Sequence, residues 1–272
     1  MIRSPRVLIF DSGMGGLTVA KAVRQLLPLA QLTYAADTAA FPYGAWEEVA
    51  LIERILTVMG RLIEAAAPDL VVVACNTAST VALTQLREVH QIPFVGTVPA
   101  IKPAAEQTKS GIVGVLATPG TVRREYTQAL IHTYAYHCKV FLHGAAKLAE
   151  MAEGKLKGMA VDGDELRDEI MPVFRSRGGK RTDTIVLGCT HYPLLIEEIR
   201  AAAPWPVLYI DPAPAIARRV GEVLKNQELS ELKAGPPSGT VLLTSQRGTA
   251  GKSLEAYGAM GFTGHQIVEV AI

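Results

Sequence analysis

Short runs rich in apolar residues alternate along the chain with stretches of helical periodicity. In the first part, strands are predicted at residues 6–10, 32–36, 70–74 and 94–95, and helices at residues 17–27, 48–66 and 76–92. Each strand is followed by a turn and then by a helix. This alternation is typical of a parallel sheet that helices cover on both faces.

The pattern continues in the second part of the chain. Strands are predicted at residues 111–117, 138–142 and 184–188, and helices at residues 122–134, 145–156 and 165–174. The remainder adds strands at 207–210 and 240–244, a helix at 216–224 and a loop at 233–239. The fold class predicted from this order is α/β.

Two segments of the chain resemble each other. VVVA precedes Cys75 and IVLG precedes Cys189, and each cysteine is followed by polar residues. Residues 6–16 and 111–120 form a second matching pair, each a strand followed by a turn that contains glycine. We therefore predict an internal duplication: two similar doubly wound domains with mainly parallel sheets.

Composition excludes several classes of protein. The chain has 272 residues with 27 Lys and Arg against 26 Asp and Glu, and this balance indicates neither nucleic acid nor a membrane surface as a partner. Three cysteines do not make a disulfide framework. Neither a signal peptide nor a membrane-spanning run is visible, so we expect a soluble cytosolic protein.

The duplicated cysteines suggest proton-transfer chemistry. Ligands of open α/β sheets bind at the carboxyl ends of the strands, so two facing units would bring Cys75 and Cys189 to one cleft. Each thiol precedes a predicted helix, whose dipole and free N–H groups would favour the thiolate. Two opposed bases can remove a proton from one face of a carbon and deliver another to the opposite face, which inverts a stereocentre.

Polar residues stand at equivalent positions around the two cysteines. Asp11 and Ser12 follow the first strand, and Thr190 and His191 follow Cys189. A carboxylate near one thiol and an imidazole near the other could relay protons. The side chains and backbone N–H groups of Asn76, Thr77 and Thr190 could hold a substrate carboxylate.

Five motifs resemble the glutamate racemase family, part of the aspartate/glutamate racemases: DSGMGGLT (11–18), FPYG (41–44), ACNTAST (74–80), VPAIKPA (98–104) and GCTHYPLL (188–195). The resemblance implies that Cys75 and Cys189 are the catalytic bases, supported by Asp11 and His191 respectively. It also implies a set of glutamate contacts, namely Asp11, Ser12, Pro42, Tyr43, Gly44, Asn76, Thr77, Thr190 and His191.

The resemblance carries further expectations. It implies two α/β domains, residues 1–98 with 208–272 and residues 99–207, with the active site in the cleft between them. The enzyme would need neither pyridoxal phosphate nor metal, and would supply D-glutamate for peptidoglycan in the bacterial cytoplasm. A homodimer is also implied.

The chain departs from the family pattern at two places. The first acid of a Val-Glu-Glu-Gly-like pattern falls on Ala152, so either Glu150 or Glu153 could serve as the auxiliary acid. A Thr-Ser-Gly pattern near the C-terminus reads Thr244, Ser245 and Gln246.

Some of these segments also resemble other kinds of site. Residues 11–16 resemble a dinucleotide-binding turn, but position 18 is Thr where Gly is required. Residues 248–253 resemble a phosphate loop, but position 246 is Gln, and we expect an exposed helix start there. Zinc bound by Cys75, Cys189 and His191 matches no compact metal pattern. Cys138 is expected to be structural. An aspartate racemase, a related isomerase or decarboxylase, and a thiol-redox or binding protein remain alternatives.

Overall fold

A computed structural model describes residues 4–227, 239–249 and 251–270. Its strands are β1 (Arg6–Asp11), β2 (Gln31–Ala36), β3 (Leu70–Val73), β4 (Phe94–Gly96), β5 (Ile112–Ala117), β6 (Lys139–Gly144), β7 (Ser176–Arg177), β8 (Lys180–Arg181), β9 (Thr184–Gly188), β10 (Leu208–Ile210), β11 (Gly239–Leu243) and β12 (Gly264–Ile267). Most of the predicted loop at 233–239 lies outside the described residues, and its last residue begins β11.

The helices connect these strands. They are α1 (Leu17–Leu26), α2 (Glu48–Ala66), α3 (Asn76–Val89), α4 (Ile101–Gln107), α5 (Pro119–Arg123), α6 (Glu125–Tyr134), α7 (Leu148–Leu156), α8 (Gly163–Ile170), α9 (Ile196–Ala202), α10 (Ala213–Asn226) and α11 (Gly251–Ala259). Short 3₁₀ turns lie at Tyr43–Ala45, Met171–Val173, Tyr192–Leu195 and Gln246–Gly248.

Within the described residues the strands form two parallel sheets and a small hairpin. The six-stranded sheet has the order β12-β11-β2-β1-β3-β4, and the four-stranded sheet has the order β10-β9-β5-β6. The strand pairs described within both sheets are parallel, whereas β7 and β8 pair antiparallel. The α/β class with mainly parallel sheets is therefore confirmed.

The two sheets share a strand order that fits the predicted duplication. The run β2-β1-β3-β4 of the larger sheet corresponds to β6-β5-β9-β10 of the smaller one. In both runs the strand that precedes a cysteine, β3 or β9, lies beside the first strand of its unit. The carboxyl ends of these strands carry the polar residues that the sequence pattern singles out.

The central strands are continuous apolar runs because both of their faces are buried. In β1, Val7 and Ile9 pack in a core with α1 and α10, while Leu8 and Phe10 pack in a core with α2 and α3. The smaller sheet is covered in the same way, by α7, α8 and α9 on one face and by α4 on the other. Burial on both faces replaces the alternation of a half-exposed strand.

Strand β10 differs from the predicted domain assignment. The prediction placed residues 208–272 with the first domain, but β10 pairs with β9 in the four-stranded sheet. The later part of that segment does join the larger sheet, because β11 pairs with β2 and α10 packs on α1. The division into domains otherwise stays a prediction.

Candidate active site

Cys75 lies between β3 and α3, at the edge where the two sheets face each other. It is the N-cap of α3, and its Sγ accepts a hydrogen bond from the Ala78 N–H at 3.5 Å. The thiol contacts the Ser12 Oγ at 3.8 Å and is almost fully buried. A strand end followed by a helix start thus holds the sulfur in a fixed position.

The ionisation of Cys75 differs from the sequence-based expectation. Burial, together with the negative charge of Asp11, raises the pKa of Cys75 to about 12, although the Ala78 N–H acts in the opposite direction. The helix start alone would favour the thiolate, but desolvation of a charged sulfur outweighs it. The expected lowering of the Cys75 pKa is therefore wrong, and this side chain is a thiol at neutral pH.

Asp11 links the two units. At the end of β1 its Oδ1 accepts the Gly13 N–H at 2.8 Å, and its Oδ2 accepts the Thr190 hydroxyl at 2.8 Å. Asp11 is fully buried, and burial raises its pKa although the charge of His191 and these hydrogen bonds counteract part of that effect. The predicted residues of the first strand end and of the Cys189 turn therefore meet.

Cys189 follows β9 but does not lead directly into a helix. A turn and the 3₁₀ segment Tyr192–Leu195 separate it from α9, contrary to the expectation that both thiols precede helices. The Sγ lies 3.8 Å from the Nδ1 of His191. The imidazole, rather than a helix start, is the polar partner of this thiol.

His191 is held between Cys189 and Glu153. Its Nε2 lies 3.3 Å from Glu153 Oε1 and 3.1 Å from the Gly15 N–H. Burial alone would lower the pKa of His191, but its hydrogen bonds with Cys189 and Glu153 raise that pKa well above the usual range. Nε2 can donate to the carboxylate when protonated and accept from Gly15 when neutral.

Only one of the two candidate acids on α7 reaches this site. Glu153 is buried: its Oε1 accepts the Met14 N–H at 2.8 Å, and its Oε2 accepts from Lys157 at 2.9 Å. Burial alone would raise the pKa of Glu153, but hydrogen bonds and charge from His191 and Lys157 hold it at about 2. Glu150, one turn earlier on the same helix, is exposed.

The glycines of the first turn permit this close approach. A Cβ at Gly13 would overlap the Glu153 carboxylate, and a Cβ at Gly15 would overlap the His191 ring. The glycine-rich turn that resembles a dinucleotide motif therefore serves here to let side chains of the other unit reach the backbone of the first.

Asn76 and Thr77 line the same space. Both are buried in the first turn of α3, and neither Nδ2 nor Oδ1 of Asn76 has a hydrogen-bond partner among the described residues. The Thr77 hydroxyl lies 3.0 Å from that of Thr118, which follows β5. A buried amide without partners is costly in the free protein and is available to a ligand.

The loop that carries Pro42, Tyr43 and Gly44 closes one side of the space. The Tyr43 side chain turns away from it, since its hydroxyl donates to Asp37 Oδ2 at 2.6 Å. Asp37 also accepts from Arg54 at 2.7 Å and from Thr244 at 2.6 Å, and it is fully buried.

Sequence reasoning missed this buried network. By its place in the sequence, Asp37 suggests only the acid that follows the glycine turn of a dinucleotide site, a motif that this chain does not complete. The available signal was an acid at the end of a buried strand, the same position that Asp11 has on β1.

The predicted residues enclose one small cavity. It is lined by both thiols and by all predicted contacts except Asp11, which lies behind Thr190; the lining set is Ser12, Phe41, Pro42, Tyr43, Gly44, Cys75, Asn76, Thr77, Thr118, Ala149, Cys189, Thr190 and His191. Its volume is about 20 Å³, room for about one water molecule. This volume is smaller than that of an amino acid.

In residues 4–227, 239–249 and 251–270, no three His, Cys, Asp or Glu side chains are grouped so that they could hold a metal ion. Among the same residues, no helix combines the length and the apolar character that crossing a membrane requires.

Comparisons with known proteins agree on one family. The family model described as Asp/Glu/Hydantoin racemase matches residues 18–220. The chain is 54% identical to a glutamate racemase of Brucella anthropi over 226 residues, which are 83% of this chain and 81% of that protein. It is 56% identical to a glutamate racemase of Bartonella bacilliformis over 219 residues, 80% of this chain and 81% of that protein.

A solved structure extends the similarity to the whole fold. Escherichia coli glutamate racemase, in complex with L-glutamate and the activator UDP-MurNAc-Ala, matches with a TM-score of 0.90 and 40% identity, over 99% of this chain and 100% of that one. The family match covers most of the chain, and the relatives are more than half identical to it. The chain therefore belongs to the Asp/Glu/hydantoin racemase family.

Proposed function

We propose that this protein is a glutamate racemase that interconverts L- and D-glutamate with two cysteines as acid and base. The observation that carries the proposal is that Cys75 and Cys189, from different units, line one small cavity. The relatives named above are glutamate racemases, and the E. coli structure holds L-glutamate. Two thiols on opposite sides of one α-carbon provide what inversion requires.

The two thiols differ in their surroundings, and this difference assigns their roles. His191 Nδ1 lies 3.8 Å from the Cys189 Sγ, so in this proposal Cys189 is the base toward L-glutamate, with the imidazole beside it. Cys75, with its pKa raised to about 12, is the protonated partner. From L-glutamate, the Cys189 thiolate takes the α-proton, and the electron pair of the broken C–H bond stays on the α-carbon beside the carboxylate.

Inversion is completed from the other side. The Cys75 thiol donates its proton to the opposite face, which gives D-glutamate and leaves a thiolate on Cys75. Proton exchange with solvent then restores the starting state, and the reverse reaction exchanges the two roles. In this proposal the charge of Asp11 favours the protonated form of Cys75. Glu153, which lies beside the Nε2 of His191, keeps the imidazole protonated.

Substrate recognition would use the amide of Asn76, which has no partner among the described residues, and the hydroxyl groups that line the same cavity. Asn76, Thr77 and Thr190 would hold the α-carboxylate and amino group, while Ser12 and the backbone of Pro42, Tyr43 and Gly44 would contact the rest of glutamate. Because the cavity has room for about one water molecule, substrate binding would require the two units to open further. The hydrogen bond between Asp11 and Thr190 would break in that motion.

The family resemblance extends the proposal beyond the site. The enzyme would need no pyridoxal phosphate and no metal, act in the bacterial cytoplasm and supply D-glutamate for peptidoglycan. The predicted homodimer likewise stays a prediction.

Proton NMR of the purified protein with L-glutamate in D₂O tests the reaction. We expect the α-proton signal to disappear and D-glutamate to accumulate, without added cofactor. Cys75→Ala and Cys189→Ala should abolish racemisation, whereas Cys138→Ala, at the cysteine outside the cavity, should not. Full interconversion by either single-cysteine variant would refute the two-base scheme. Exchange of the α-proton of L-aspartate but not of L-glutamate would refute glutamate as the substrate.

A further inference from the structure

A second cavity lies between the two units, behind the candidate active site. We call it the seam cavity; it measures about 80 Å³ and is lined by Glu153 and Lys157 near the end of α7 and by Arg247, Ser253 and Tyr257 of the C-terminal segment, with Met14, Thr38, Phe41 and Gly248. Phe41 lines both cavities, and Glu153 contacts His191 of the active-site cavity. These two side chains therefore lie between the seam cavity and the thiols.

Two hydroxyl groups in the seam cavity have no partner. Ser253 and Tyr257 are each about 1% exposed, and neither Ser253 Oγ nor the Tyr257 hydroxyl makes a hydrogen bond in the part of the chain that the structure describes. A buried hydroxyl without a partner costs free energy. Two such groups in the wall of one cavity favour a polar ligand that hydrogen-bonds with them.

The charge of the lining favours an anion. Lys157 and Arg247 contribute two positive charges, and Glu153 contributes one negative charge. Both oxygens of Glu153 already accept hydrogen bonds, Oε1 from Met14 and Oε2 from Lys157. The carboxylate therefore offers little to a cation, while the two basic side chains and the free hydroxyls can donate.

The start of α11 adds to this preference. The helix begins at Gly251 and includes Ser253 in its first turn, where backbone N–H groups and the helix dipole favour negative charge. This is the segment whose sequence resembles a phosphate loop. The expectation that it is simply an exposed helix start is wrong in part, since Gly248 and Ser253 are buried.

We propose that the seam cavity binds a small oxyanion, a phosphate or a similar group, between Lys157 of one unit and Arg247 of the other, with Ser253 and Tyr257 as further hydrogen-bond donors. The volume admits a single such group, either as a free ion or as the end of a phosphomonoester. Because the anion contacts both units, it favours the closed arrangement of the cleft.

The position of Lys157 connects this site to the reaction. Lys157 holds Glu153 Oε2, and Glu153 in turn holds His191. An anion that accepts a hydrogen bond from the Lys157 ammonium group weakens the hydrogen bond between Lys157 and Glu153. This consequence, unlike binding itself, rests on the proposed racemase function: we expect bound phosphate to change kcat more than KM.

Isothermal titration calorimetry with inorganic phosphate tests the site, at an ionic strength held constant with sodium chloride because screening alone alters charge interactions. We expect binding in the millimolar range and a rise in Tm in phosphate over chloride. Arg247→Gln should weaken binding at least about tenfold, because it removes a charge-assisted hydrogen bond. Arg177→Gln, in the exposed hairpin, is the matched control and should bind as the original chain does.

Ser253→Ala and Tyr257→Phe keep the test decisive if Arg247→Gln folds poorly. Each removes one oxygen atom and should weaken phosphate binding while leaving racemisation in chloride unchanged. A parallel titration with glycerol phosphate separates the two sources: equal affinity indicates a phosphomonoester, and binding of inorganic phosphate alone indicates the free ion. No binding of either probe, or equal affinity in the original chain and Arg247→Gln, overturns the proposal.

Discussion

Replacing Asn76 by Leu should make the protein more stable and nearly inactive. Asn76 is 2% exposed, and both polar atoms of its amide lack partners among the described residues. Leucine has the same number of side-chain heavy atoms but no polar group to satisfy. The substitution therefore removes a cost that the free protein bears only for the sake of its ligand.

The size of the effect follows from the burial of the amide. An unsatisfied buried polar group costs about 1–3 kcal/mol, and the small cavity has room for about one water, which can satisfy only part of the amide. We expect a gain of about 2 kcal/mol in the free energy of unfolding. For a chain of this size that corresponds to a rise in Tm of about 4–8 °C.

The effect on activity should have the opposite sign. If the amide makes two hydrogen bonds with a charged substrate, their loss should lower kcat/KM by about 100-fold or more. Asn226→Leu, at the exposed end of α10, is the matched control and should change stability by less than about 0.5 kcal/mol.

Thermal unfolding and racemisation measured on the same preparations check both parts. A Tm below that of the original chain would refute the idea that the amide is unsatisfied, and unchanged kcat/KM would refute its role in binding.

Three further predictions concern other parts of the site. Glu153→Gln should lower the free energy of unfolding at pH 7 by about 3 kcal/mol, because the pKa of Glu153 is about 2 rather than 4.5. A carboxyl whose pKa is lowered stabilises the fold above about pH 4.5 and loses that effect as the pH falls through about 2. Acid unfolding curves of this variant should therefore be flatter over that range, whereas Glu150→Gln, on the same helix but exposed, should match the original chain. Tyr43→Phe removes a 2.6 Å hydrogen bond to buried Asp37 and should cost about 1.5–3 kcal/mol in urea unfolding; no loss would mean that Asp37 needs no donor there. Cys138→Ser should leave kcat/KM within about twofold, and a large loss would place a third thiol in the reaction.

The strands were the most predictable elements, for a physical reason. Central strands of a doubly covered parallel sheet are buried on both faces, so β1, β3, β5 and β9 are apolar runs that local sequence reveals. Strand β12 was missed because its residues are mostly exposed, and among the described strands it pairs with β11 alone. The exposed edge of β11 determines that this segment is a strand, and the segment's own composition does not reveal it.

Helix boundaries were less predictable. The helix predicted at 122–134 is divided between α5 and α6 because Arg124 is extended, and the Thr127 hydroxyl donates instead to the Thr121 carbonyl. No Gly or Pro marks that break. Helix α4 was not predicted, and its Pro103 lies within the first turn, where proline is tolerated.

The choice between Glu150 and Glu153 shows what a sequence leaves open. The two acids are three residues apart on α7, and either could face a partner. Leu148, Ala149 and Ala152 are buried, and this face carries Glu153 with it. Which face of a helix is buried depends on what packs against it, and here that is the glycine turn of the other unit.

The sequence by itself determined the kind of chemistry: two cysteines at duplicated strand ends, with acids, hydroxyls and an imidazole beside them. Only the tertiary structure decided how these groups titrate and which of them meet. The local helix start predicted a thiolate at Cys75, but burial and Asp11 raise its pKa to about 12. Desolvation and charge interactions depend on distance through space, so groups far apart in the chain, such as Glu153 and His191, determine each other's ionisation.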